Sequence, residues 1–213
     1  MIESVIFDFD GVIADSTNIK TEAFVALYSQ YSEETQSQVK SYHIRHSGVS
    51  RYKKIYYFQK EIVNEDYSEK KINQLALQFS EIVLENVINS KFIPGAREFI
   101  EKNYAHLDLH IATGTPQSEI EIIAQEKKLS HLFKSIYGTP LTKTEIVEKI
   151  LKKFTYNNKN VVLIGDALAD FEGAVNNNIQ FLGRVPRGEE SIFPENVTVI
   201  NDLIRLDNLL SIF

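Results

Sequence analysis

The stretch Ser4-Val5-Ile6-Phe7-Asp8-Phe9-Asp10-Gly11-Val12 constrains the chain more than any other, because an apolar run ends there in two carboxylates. A run this short and this rich in Val, Ile and Phe fits a strand buried on both faces of a parallel sheet. Asp8 and Asp10 lie two apart, so the strand period of 2 points both to one side at the carboxyl end. Ligand sites of open α/β sheets form at that end. Like charges held so close repel strongly unless a cation lies between them or one keeps its proton. Gly11 lets the backbone turn sharply and lets a ligand approach. A calcium loop counted from Asp8 would need Gly and Glu where the chain has Ile13 and Ile19, so that reading fails. An isolated pair of this kind is equally a solvated strand end, and the rest of the chain has to decide.

The 213 residues suit one sizeable domain or a core with a smaller insert. Twenty-nine acidic against twenty-three basic side chains leave a net charge of -6, which disfavours nucleic acid as a partner. With no cysteine, disulfides, thiolate metal sites and cysteine nucleophiles are excluded. No stretch is apolar for long enough to cross a bilayer, and the amino terminus lacks the pattern of a signal peptide. The expectation is a cytoplasmic protein with no membrane partner.

After Asp15 and Ser16 the periodicity turns helical and stays so to about residue 90. Ile19, Ala23, Leu27 and Tyr31 mark one stripe, and Ile55, Phe58 and Ile62 a second, with Ser50 as its N-cap. Ile72, Leu75, Ala76, Phe79, Ile82 and Val83 mark a third after Ser68. Phe92-Ile93-Pro94-Gly95 is a turn that returns the chain to the core. Beyond it, helical and strand-like stretches alternate, with strands over 109–113, 133–137, 160–165 and 179–182 and a terminal strand and helix. Such alternation predicts an α/β fold, a Rossmann-like parallel sheet with helices on both faces. Residues 1–14 and 92–213 then form the core, and residues 15–91 an inserted helical domain.

Three of these strands end in polar groups. The first ends in Asp8 and Asp10, and the second in Thr113-Gly114-Thr115-Pro116. There Thr115 is expected to cap the next helix, Pro116 to take its first position, and Thr113 and Gly114 to face an anion. Thr142 and Glu145 form a T-x-x-E capping box, which places Lys143 at a helix amino end, where a cation opposes the dipole. Something anionic nearby would remove that conflict. The last of the three ends in Gly165-Asp166, with Asp170 four residues on, at the start of a helix.

Asp8-x-Asp10-Gly11-Val12, Thr113-Gly114, Lys143 and Gly165-Asp166-x-x-x-Asp170, in this order, resemble the four motifs of the haloacid dehalogenase-like hydrolase superfamily. The insert after the first motif is similar to the helical cap of its phosphoglycolate phosphatase and β-phosphoglucomutase branch. The resemblance implies that Asp8 is the nucleophile and that Asp10, protonated in the substrate complex, is the general acid and base. It implies that Thr113, Gly114 and Lys143 hold the phosphoryl group. Asp8, the Asp10 carbonyl and Asp166 would bind Mg²⁺, with Asp170 supporting them. The second aspartate, Asp10, favours phosphoryl transfer from oxygen over dehalogenation.

The implied function is a Mg²⁺-dependent phosphatase of a small phosphorylated metabolite, a sugar or acid phosphate, working through an aspartyl phosphate. A sugar-phosphate mutase is the alternative, and a non-catalytic interaction module a third. Gly48-Val49-Ser50-Arg51 resembles a cap segment of the mutases, which makes Arg51 a candidate for a second anionic group on the substrate. Lys20 is a weaker candidate of the same kind. Thr144 stands where the family usually has proline, and Asn18-Ile19-Lys20 departs from its common first cap segment. His43 with His46, and His106 with Asp108 and His110, lack enough further ligands for a structural zinc site. The aromatic stretch from Tyr52 to Phe58 is expected to pack the cap.

Overall fold

The computed structural model describes residues 2–46 and 48–211. Among these, β1 (Ser4–Phe7), β2 (Asp108–Pro116), β3 (Ser135–Thr139), β4 (Val161–Gly165), β5 (Gln180–Arg184) and β6 (Val199–Ile200) form one parallel sheet. Its order is β3-β2-β1-β4-β5-β6, so the chain runs outward on one side of β1 and then returns to the other. The switch point of the sheet therefore lies at β1, where a ligand crevice is expected.

Between β1 and β2 come α1 (Thr17–Leu27), α2 (Glu33–Arg45), α3 (Arg51–Tyr57), a π-helical turn (Phe58–Ile62), α4 (Glu69–Asn89) and α5 (Ala96–Asn103). The remaining helices are α6 (Gln117–Glu126), α7 (Lys143–Phe154), α8 (Leu168–Asn176) and α9 (Leu206–Leu210). Residues 17–89 carry helices and turns and no strand among the described residues. The two chain segments that lead into and out of this insert run side by side. Asp15 donates its amide to the Lys91 carbonyl, and Ile93 donates to Ile13, each at 2.9 Å.

Alternation along β1 sorts its side chains onto two cores. Val5 and Phe7 join Leu109, Ile111, Val162 and Ile164 on the face covered by α5 and α6. Ile6 joins Ala112, Val161 and Leu163 on the face covered by α7 and α8. Full burial of a side chain of this size is worth about 1.5–3 kcal/mol, so a one-residue slip that exchanged the faces is heavily disfavoured. Asp8 has the same parity as Ile6 and so emerges on the α7 side.

β1 is shorter than its apolar run suggests. The Phe9 carbonyl receives the amides of Ile13 and Ala14, each at 2.9 Å, and this tight turn ends the strand before Asp10. Gly11 adopts φ +78° at its apex, and a Cβ there would collide with the Asp166 carboxylate. β2 is longer than expected and runs through Thr115, with a register shift against β3 between Ala112 and Pro116. As a result Thr115 does not cap α6: Pro116 takes the N-cap place, and the Thr115 hydroxyl is left for other partners.

Candidate active site

The carboxyl ends of β1, β2 and β4 meet the amino ends of α7 and α8 at one rim of the sheet. The parity that sends Asp8 to the α7 side brings its Oδ1 to 2.8 Å from Lys143 Nζ. Lys143 is the first residue of α7, behind a complete capping box of Thr142 and Glu145. Its ammonium also meets the Asp170 carboxylate, so two anions answer the unfavourable dipole. The other Asp170 oxygen accepts the Ala167 amide at 3.2 Å and fixes the start of α8.

Burial works against the charge of Lys143, but Asp170 and Asp8 outweigh it and hold the ammonium above the ordinary lysine range. Asp8 is pulled the other way. Burial first, and the Asp170 carboxylate second, push its carboxyl up to about 7 despite Lys143. Asp166 is likewise raised well above the usual carboxylate range by burial, then by Asp8 and Asp170. Oxygens of Asp8, Asp166 and Asp170 all lie within 4.8 Å of one another. Hard oxygen donors crowded at this spacing repel one another unless protons or a small divalent cation intervene, and the donor set fits such an ion.

Asp10 lies in a separate hydrogen-bonded knot. It accepts from the Ser16 hydroxyl at 2.6 Å and the Thr115 hydroxyl at 3.0 Å, and pairs with the Lys20 ammonium. Lys20 in turn donates to Thr115 Oγ1 at 2.7 Å. Burial would raise the Asp10 carboxyl, but Lys20, Ser16 and Thr115 prevail and hold it below the usual range. At rest Asp10 is therefore ionised, not protonated.

Thr113 and Gly114 line a recess beside Lys143, under the loop around Gly48. That loop comes so close that a Cβ on Gly114 would stand 2.8 Å from the Gly48 carbonyl oxygen. On the other side of Gly114 a cavity of about 50 Å³ runs from Asp8 and Asp10 to Lys20, His43 and Lys54 of the insert. This space takes only a few waters, whereas the recess beside Lys143 measures about 210 Å³.

Arg51 also borders the cavity, but its guanidinium turns aside to the core. It donates to Glu119 on α6 at 2.8 and 2.5 Å and to Ser80 on α4 at 2.5 Å. The Phe79 ring lies 4.7 Å beneath it. Arg51 thus ties the insert to the core. Three of the histidines singled out in the sequence meet neighbours: His43 Nδ1 meets Lys54, His46 Nδ1 the Tyr42 carbonyl, and His110 meets Ser135 and Tyr156. Of the aromatic stretch, Tyr57 and Phe58 pack on Tyr42, whereas Tyr52 and Tyr56 are exposed.

The structure therefore brings Asp8, Asp166, Asp170 and Lys143 into one cluster, with Thr113 and Gly114 beside it and Lys20 on Asp10. The motifs gave no sign of Ser16, Lys54 or Glu119, while the sequence suggests Thr115 only as a helix cap and His43 only as a candidate metal ligand.

These features coincide with a match to the family model described as haloacid dehalogenase-like hydrolase, over residues 5–184. The chain belongs to that family. Solved structures of the same fold include YfnB from Bacillus subtilis bound to magnesium, 18% identical with a TM-score of 0.75 over 99% of each chain. A predicted phosphoglycolate phosphatase from Haemophilus somnus is 18% identical with a TM-score of 0.76, over 98% of this chain and 97% of its own. CbbY from Rhodobacter sphaeroides, in complex with xylulose-(1,5)bisphosphate, is 16% identical with a TM-score of 0.76, over 97% and 96%. No curated protein sequence matches the chain.

Proposed function

We propose that the chain is a Mg²⁺-dependent phosphatase that hydrolyses a small phosphorylated metabolite through a phosphoryl group carried on Asp8. The observation that carries this reading is the contact of Asp8 with Lys143, 2.8 Å apart, inside a cluster of three carboxylates at the sheet switch point. Asp8, Asp166 and the Asp10 carbonyl would hold Mg²⁺, which supplies positive charge against the phosphoryl oxygens. Asp170 keeps Lys143 in place, and residues 15–91 serve as the cap that opens for substrate.

A phosphate dianion repels a carboxylate, so Lys143 must hold the phosphoryl oxygens while Asp8 attacks phosphorus in line. The Thr113 hydroxyl and the Gly114 amide add donors on the opposite side. Asp10 then takes a proton from the water that splits the aspartyl phosphate, a task for which its ionised resting state is suited. Donating a proton to the leaving oxygen requires Asp10 to be protonated first, so the incoming phosphoryl anion has to draw Lys20 away from it. The mutase alternative would use Arg51 for a distal phosphate, and here Arg51 is engaged with Glu119 instead.

The test is phosphate release from a panel of phosphate monoesters with Mg²⁺, for wild type and Asp8→Asn. The variant should fold normally and lose at least about 10³-fold in rate, as loss of a nucleophile does. An Asp8→Asn protein that still releases phosphate would overturn the nucleophile. Phosphate passed to a second sugar position, rather than to water, would establish the mutase.

A further inference from the structure

Three cations around the cleft are matched by carboxylates. Lys143 has Asp8 and Asp170, Lys20 has Asp10, and Arg51 has Glu119. Lys54 differs. It is 3% exposed, borders the same cavity as Asp8 and Asp10, and pairs with no carboxylate among the described residues. Its partner is an imidazole nitrogen, His43 Nδ1, at 2.9 Å. The Phe24 ring closes the far side, 5.9 Å from the ammonium. Lys127 is also buried without a carboxylate, but it donates to the Ile88 and Ser90 carbonyls at a helix end and faces no cavity beside Asp8.

Packing does not require a charge at position 54. A methionine of similar length would fill the same volume without the cost of burying an unmatched ammonium. Burial, with Lys20 adding to it, pushes Lys54 down to about 7, while Asp10 and Asp166 pull weakly the other way. Burial and Lys54 together drive His43 far down, so the ring is neutral and acts as a hydrogen-bond acceptor. The pair can therefore take one negative charge, by holding one proton on Lys54.

We propose that Lys54, positioned by His43, binds a carboxylate on the substrate, which makes the substrate the phosphate ester of a small hydroxy acid. This rests on the phosphatase reading and narrows it. The charge count favours a carboxylate: one buried cation without a carboxylate in this cavity matches a monoanion, whereas a second phosphate would bring about −1.5 to −2 charges into the same space, and the unpaired Lys53 is exposed and lines the separate recess beside Lys143. Arg51 cannot make up the difference while both arms of its guanidinium lie on Glu119. The arginine that the sequence suggested thus serves closure, and the lysine three residues on serves recognition.

The test is calorimetric binding of non-hydrolysable probes to the Mg²⁺-loaded protein. Phosphonocarboxylates with one to three methylenes are compared with alkylphosphonates and bisphosphonates of equal length. Wild type should bind its best phosphonocarboxylate at least about tenfold tighter than the matching alkylphosphonate, and in Lys54→Met that ratio should fall to near one. Equal affinity for the two probes in wild type, or a preference that survives in Lys54→Met, overturns the role of Lys54. A preference for the bisphosphonate overturns the carboxylate. Failure of every phosphonate to bind overturns the phosphatase site as well, which separates that failure from one confined to Lys54.

Discussion

Two buried lysines flank the Asp8 site, one in the core and one in the insert, and the protein treats them in opposite ways. Lys143, on the core wall, is pressed between Asp8 and Asp170 and is held charged beyond the ordinary range. Lys54, on the insert wall, is as well buried but leans on a neutral ring and is pushed down to about 7. The first charge is part of the resting structure. The second is kept without an anion, which is the condition of a binding group whose counter-charge arrives with the ligand. On the proposed reading, the core wall is built before substrate comes, while the insert wall is completed by it.

The comparison breaks most visibly if Lys143 is removed. Lys143→Met leaves Asp8 and Asp170 buried without their cation, a change that costs about 3–5 kcal/mol when a buried pair loses one partner. For a chain of this size that lowers Tm by roughly 6–20 °C in thermal denaturation, alongside loss of phosphate release. A variant that melts with wild type would mean that the two carboxylates take up protons at no cost, and that the core wall is not prebuilt.

The carboxylates themselves give the next effect. Asp8 has a folded pKa of about 7 against 3.8 for the ordinary group, so between those values the folded state holds a proton that the unfolded chain has lost. Stability from this source is present at low pH and disappears as pH rises toward 7, and the raised Asp166 acts in the same direction. Metal-free protein should therefore lose several degrees of Tm between pH 5 and 7.5, in melts monitored by circular dichroism. Saturating Mg²⁺ should remove that slope, because the cation replaces the protons. A slope that Mg²⁺ leaves unchanged would place the titrating groups outside the cluster.

How much of this was legible in the sequence follows the same division. Asp8, Lys143 and Asp166 could be found because each sits at a fixed place relative to a buried strand or a capping box, and those signals are local. The parallel sheet and the helical insert were legible for the same reason. The turn after Phe7 was not, since Phe9 and Val12 are as apolar as a strand requires, and only the hydrogen bonds to the Phe9 carbonyl reveal it. Thr115 looked like a helix cap until the register shift in β2 turned it to Asp10. Lys54 and His43 lie eleven residues apart on different helices, and Arg51 lies sixty-eight from Glu119. No period or spacing announces contacts of that kind, because they depend on how helices pack and how the insert closes on the core.

The smallest effect is also the sharpest test of the contrast between the two lysines. A buried base with a lowered pKa binds fewer protons when folded than when unfolded, so its penalty is full below its folded pKa and fades as pH approaches the unfolded value. For Lys54 that window runs from about 7 to 10.5. Lys54→Met should melt higher than wild type by about 2–4 °C below pH 7, which is about 1 kcal/mol for a chain of this length. The gap between the two proteins should narrow steadily from pH 7 to 10 in differential scanning calorimetry. His43 loses one cause of its depression in the variant, so the gap is read above pH 7, where an imidazole is neutral in either protein. A variant that melts lower, or a gap that ignores pH, would show that Lys54 holds the insert together as Lys143 holds the core, and the distinction between a prebuilt wall and a waiting one would fall.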